Sequence, residues 1–141
     1  MATFGDQRRL SGLGRLALGT EVVASYLLAR RRLSARAPLP LDEPGRARPV
    51  RYRSRPLTVP AAACLGRRAD RVLRMVLRRE PTCLELSLVV LTLLRRRATA
   101  ARLVIGVTGP QEFAAHAWVE VHDQPVLPAG ADFHRLTELR G

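Results

Sequence analysis

Lysine is absent from this chain. All 24 basic residues are arginine, set against 12 acids for a net charge of +12. Cysteine is nearly absent too, with Cys64 and Cys83 the only two. Two cysteines make no disulfide framework, and with no C-x-x-C pair they do not spell a zinc module. Such usage fits a reducing cytosolic setting best. Aromatic residues make up 4% of the chain and none interleaves the arginines of residues 67–78, which argues against a stacking platform of the single-stranded nucleic-acid kind there. No apolar run is long enough to cross a bilayer, which takes roughly 20 residues. The run over residues 84–94 is interrupted by Glu85, Ser87 and Thr92. A secretory signal is also lacking, because the apolar stretch over 22–29 is short and has no A-x-A site after it. These absences lead us to expect a soluble, cytoplasmic protein with no metal or organic cofactor, no nucleic-acid partner and no stable membrane insertion.

What is present suffices for one core: 141 residues with 47% hydrophobic content predict a single domain. The charge is unevenly placed. Residues 1–80 hold 18 arginines against 6 acids, while residues 81–141 hold 6 against 6. Together with abundant alanine, leucine and proline, the arginine bias is what GC-rich codons produce. Its functional reading is an acidic partner.

Helical spacing of Val23, Tyr26, Leu27 and Arg30 predicts an amphipathic helix over 20–33, after a frayed start. Six of the ten prolines fall within residues 34–60, which excludes a long helix or central strand there and predicts an extended linker. A second helix is expected over 61–79, with Leu65, Ala69, Val72, Leu73 and Val76 inward. Arg67, Arg71, Arg74 and Arg78 form a basic stripe along it, either a solvated face or a docking site for an acidic peptide. A third helix over 83–97 is apolar nearly all round and hence central. Its start carries a capping box, Thr82 with Glu85 three positions on, and Arg95, Arg96 and Arg97 suit its C-terminal dipole. Residues 102–108 and 114–121 read as strands, followed by a short strand at 125–127 and a tail with Asp132, His134 and a helical turn. The architecture expected is α+β: helices packed on a small antiparallel sheet, with an N-terminal helix and Pro/Arg-rich linker (1–60) ahead of the core (61–141).

One constellation carries chemistry. Cys83 opens the central helix, and His116 lies on the later strand with Trp118 and Glu120 on the same face. A thiol in the first turn of a helix meets unpaired N–H groups and the positive dipole end, both of which favour the thiolate nucleophile. A nearby imidazole completes a thiolate–imidazolium pair, and the same N–H groups can stabilise an oxyanion. A third group, usually Asp or Asn, holds the ring tautomer. The plainer readings are a packed core cysteine and a hydrogen-bonded strand histidine. Cys64 reads as structural.

The segments P-T-C-L-E-L-S-L-V-V-L-T-L-L-R-R-R, A-R-L-V-I-G-V and E-F-A-A-H-A-W-V-E-V resemble the transglutaminase-like leader peptidases of lasso-peptide biosynthesis. The resemblance covers roughly residues 81–127, and less strongly the arginine-rich helix before it. It implies a cysteine protease that removes the leader from a ribosomally made lasso precursor peptide. It also implies two partners, a small leader-recognition protein and an ATP-dependent lasso cyclase. Carried over by position, Cys83 is the nucleophile and His116 the general base, while Trp118 and Glu120 are assigned to substrate binding. Two departures stand out. Leu86 occupies a position often basic in that family, and Pro128 occupies the usual position of the third triad member. Asp132 is the candidate replacement, Asp123 is a weaker one, and a backbone carbonyl or water is the remaining option. The competing function is a non-catalytic transglutaminase-like module that binds an acidic peptide in the same maturation complex.

Overall fold

The computed structural model describes residues 12–37, 55–130 and 132–135. Three helices, α1 (Gly12–Ser34), α2 (Val59–Leu77) and α3 (Cys83–Arg96), precede four strands: β1 (Arg102–Val107), β2 (Ala115–Val121), β3 (Gln124–Pro125) and β4 (His134–Arg135). The strands form one antiparallel sheet in the order β3-β2-β1-β4, and α3 packs against both α1 and β2. The expected α+β architecture of helices on a small antiparallel sheet is what the chain adopts.

The central helix forms where its capping box directs. Thr82 has extended backbone angles, its hydroxyl accepts from Glu85 N at 3.2 Å, and the Glu85 carboxylate accepts from Thr82 N at 2.9 Å. From Leu88 to Leu94 every residue except Thr92 is buried, so α3 is the axis of the core. Helix α2 begins two residues earlier than its spacing predicts, because Thr58 caps it and Pro60 fits the first turn, where a missing N–H costs nothing. Its buried face is Ala62, Leu65, Gly66, Ala69 and Leu73, while Val76 stays half exposed.

Helix α1 differs from expectation in start and in face. It begins at Gly12, and it buries Val22, Ser25, Tyr26 and Ala29 rather than Val23, Leu27 and Arg30. Both sets share helical spacing, one residue out of phase. Serine and alanine let α1 approach α3 closely, a packing advantage that hydrophobicity alone does not register. Its outward leucines, Leu16 and Leu27, are 71% and 56% exposed. Bidentate pairing of Arg97 with Glu21, at 2.8 and 2.9 Å, ties the end of α3 to α1, so α1 is part of the packed core. The Pro/Arg-rich linker and the final helical turn were expected at positions that lie largely (38–54) or wholly (136–141) outside the described residues.

Register within the sheet sets the histidine. Gly106 faces His116 and Arg102 faces Glu120 across the β1–β2 pair. The β2–β3 hairpin turns on His122 and Asp123, both at positive φ (50° and 61°), as tight two-residue hairpin turns require. Strand β4, unforeseen in the sequence, pairs with β1 so that Arg135 lies opposite Gly106.

Candidate active site

Cys83 is the first residue of α3, half-buried, with a free thiol. The capping box satisfies the N–H groups of Thr82 and Glu85, and Leu86 N donates to Thr82 O at 3.0 Å. Among the described residues the N–H groups of Cys83 and Leu84 are therefore the two orphan donors of the first turn. The box is itself reinforced by a residue the sequence reading passed over. Arg79 grips both oxygens of Glu85 at 3.0 Å, and its guanidinium also donates to the Tyr26 hydroxyl at 3.3 Å. Tyr26 in turn donates to Glu85 at 3.4 Å, so α1, the α2–α3 connection and α3 meet one residue pair away from the thiol. The Arg79 guanidinium, with help from the Thr82 N–H, holds the Glu85 carboxyl down at about 2, against the opposing effect of burial. Tyr26 lies on the helical face read from the spacing, but its pairing with Arg79 spans 53 residues and leaves no local pattern.

His116 stands at the start of β2. Its Nε2 lies 2.7 Å from the carbonyl oxygen of Pro128. A carbonyl only accepts, so Nε2 carries the proton and Nδ1 is left as the ring's acceptor. Two aromatic rings flank the imidazole: Trp118, stacked at 6.0 Å between centroids, and Phe133, tilted at 5.1 Å. Gly106 underlies this cluster. A Cβ added there would sit 2.8 Å from the Trp118 ring and 2.9 Å from Phe133, so glycine is required for the close approach. Gly130, at φ +73°, lies against the Phe133 ring, where an added Cβ would come within 2.7 Å.

Trp118 and Glu120, expected to contact substrate, are both buried. Trp118 Nε1 donates to Glu120 at 3.0 Å, Arg102 donates to the other carboxylate oxygen at 2.8 and 3.1 Å, and Arg135 pairs with the same carboxylate. Burial pushes the Glu120 carboxyl up, but the bonds from Trp118 and Arg102 and the charge of Arg135 outweigh it and keep the group below its ordinary range. Through this carboxylate the indole and strand β4 are fastened to one point on β2, four residues along the strand from the histidine. Glu120 thus supports the site from inside the protein.

The described side chains place the remaining candidates as follows. Asp132 is exposed and lines a shallow cleft of about 650 Å³ with Thr108 and Phe113; its carboxylate makes no hydrogen bond to His116. Asp123 lies at the opposite end of β2 from His116, paired with Arg102. The Cys83 thiol makes no hydrogen bond among the described residues. Those residues also contain no cluster of His, Cys, Asp or Glu able to hold a metal ion, and no helix long and apolar enough to cross a membrane.

A cysteine opening the central helix of an α+β domain, followed by a histidine on the adjoining antiparallel sheet, is the ground plan of transglutaminase-like proteins. The model of the transglutaminase-like superfamily matches residues 22–140, and the chain belongs to that superfamily, whose members are commonly cysteine peptidases or transferases. Searches of curated proteins and of solved structures found no match.

Proposed function

We propose that the chain is a cysteine peptidase that removes the leader from a lasso-peptide precursor, with Cys83 as nucleophile and His116 as base. The observation that carries the chemistry is the Pro128 carbonyl on His116 Nε2, which leaves Nδ1 free to take a thiol proton. In the first step the Cys83 thiolate attacks the scissile carbonyl, forming the C–S bond. The Cys83 and Leu84 N–H groups stabilise the oxyanion. His116 then protonates the leaving amine as the C–N bond breaks, and a thioester remains on Cys83. Water, deprotonated by His116, attacks that thioester and returns the thiol. The third member of the triad, on this reading, is the main-chain oxygen of Pro128, with Asp132 kept as the side-chain alternative.

The lasso precursor, the leader-recognition protein and the ATP-dependent cyclase enter through the resemblance of the segments around Cys83 and His116, which supports this substrate over other peptides. Purified chain incubated with the precursor and the recognition protein should release the leader. Cys83→Ala should abolish cleavage, and His116→Ala should lower it by roughly a thousandfold or more. Undiminished cleavage by Cys83→Ala ends the proposal. A Cys83 that resists alkylation near neutral pH would favour the non-catalytic binding module instead.

A further inference from the structure

Among the described residues, nothing covers the groove that α1 and α2 leave between them. Leu16 and Leu27 on α1 meet Met75 and Val76 on α2 across an open groove of about 1070 Å³. These four side chains are 71%, 56%, 73% and 50% exposed. Scattered apolar residues on a surface need no explanation, but a contiguous groove of them marks an interaction site. Its rim is cationic: Arg15, Arg68 and Arg71 line it, and no acid does. Among the described residues these three arginines make no ion pair, whereas Arg74, on the next turn of α2, is neutralised by Asp70 and Glu80.

We propose that this groove docks an acidic amphipathic helix of a separate protein. Its apolar anchors would lie between α1 and α2, and its carboxylates would meet Arg15, Arg68 and Arg71. Charge selects the occupant. A second copy of a chain with net charge +12 brings more arginine. Of the chain's own segments outside the described residues, 1–11 carries Arg8 and Arg9 against Asp6 and 38–54 carries Arg46, Arg48, Arg51 and Arg53 against Asp42 and Glu43, so both are like-charged with the rim, while 136–141 balances Glu138 with Arg140 and offers no acidic excess. Shape selects helix over strand. Two helices border the groove, so it has no sheet edge whose free N–H and C=O groups would pair with an extended peptide; recognition falls to side chains at i, i+3, i+4 and i+7. The inference rests on this surface alone and does not require Cys83 to be catalytic.

The test uses the full chain and a fluorescent, helix-stapled synthetic peptide bearing leucines at those positions with flanking glutamates. A twin peptide carries lysine for every glutamate. The acidic peptide should bind saturably, at least tenfold more tightly than its lysine twin, and should shift amide resonances of Gly19, Ala24, Val72 and Met75. The double variant R68E/R71E should weaken binding by at least tenfold, and Met75→Asp should do the same. Arg71 and Met75 are exposed and Arg68 is half-buried at the edge of the groove, and circular dichroism should report unchanged folding of both variants. Equal binding of the two peptides, resonance shifts elsewhere, or unaltered affinity in both variants overturns the proposal. So does a concentration-dependent dimer in sedimentation that Met75→Asp disperses, or an RNA oligonucleotide that displaces the peptide.

Discussion

Cys83 stands on a helix start fastened by polar and charged groups that are close in sequence, Arg79, Thr82 and Glu85, with Tyr26 reaching in from afar. His116 stands on a strand fastened by groups from three other places: Gly106 on β1, Pro128 in the loop after β3, and Phe133 ahead of β4. One half of the site is electrostatic and local, the other steric and long-range. The difference teaches that the two halves answer to different perturbations. Acid should loosen the cysteine side, and added volume should loosen the histidine side.

Gly106→Val breaks the comparison most sharply. Its side chain must displace Trp118 and Phe133, which a Cβ alone would already approach within 3 Å. Overpacking of this kind should cost about 3 kcal/mol in urea denaturation, while leaving the low-pH behaviour of the Glu85 network unchanged. A Gly106→Val protein as stable as the parent would mean that the aromatic cluster yields freely.

Glu85→Gln addresses the other half. In the folded chain the carboxyl is held at about 2 rather than 4.5, so the ionised form is the one that folding favours. Its contribution is therefore complete above pH 4.5 and drains away as the pH falls toward 2. The substitution should lower stability by roughly 2 kcal/mol at neutral pH and by little at the acid end. An equal loss at both ends would argue that the bonds of the box matter and the charge does not.

Pro128→Ala has the smallest expected effect and sharpens the comparison most finely. It removes the side chain and keeps the carbonyl that meets His116 Nε2. Stability should change by less than about 1 kcal/mol, and cleavage, if the proposed peptidase activity holds, should remain within a few-fold of the parent. A large loss would shift the orienting role toward Asp132 or another side chain.

The same division explains what was legible in the sequence. Local grammar was readable: the Thr82–Glu85 box, the apolar axis of α3 and the two long strands are patterns of neighbours in the chain. Tertiary choices were not. Nothing local says that α1 buries Ser25 and Ala29 in preference to Leu27, because that preference belongs to the distance between two helices. Two residues of β4 carry too little pattern to be seen until Arg135 finds Glu120. Glu120 itself looked like a polar residue facing substrate. Only the converging Arg102, Arg135 and Trp118 show why a carboxylate tolerates that depth.

The oxygen opposite His116 belongs to the peptide unit, and that has a consequence for inheritance. A side chain is one codon away from being lost, but no point mutation deletes a carbonyl. The vulnerable variable is length: inserting or removing a residue between β3 and β4 would slide a different oxygen, or none, toward the ring. Related chains that keep this arrangement should thus vary freely in composition at the position of Pro128 and very little in the spacing around it.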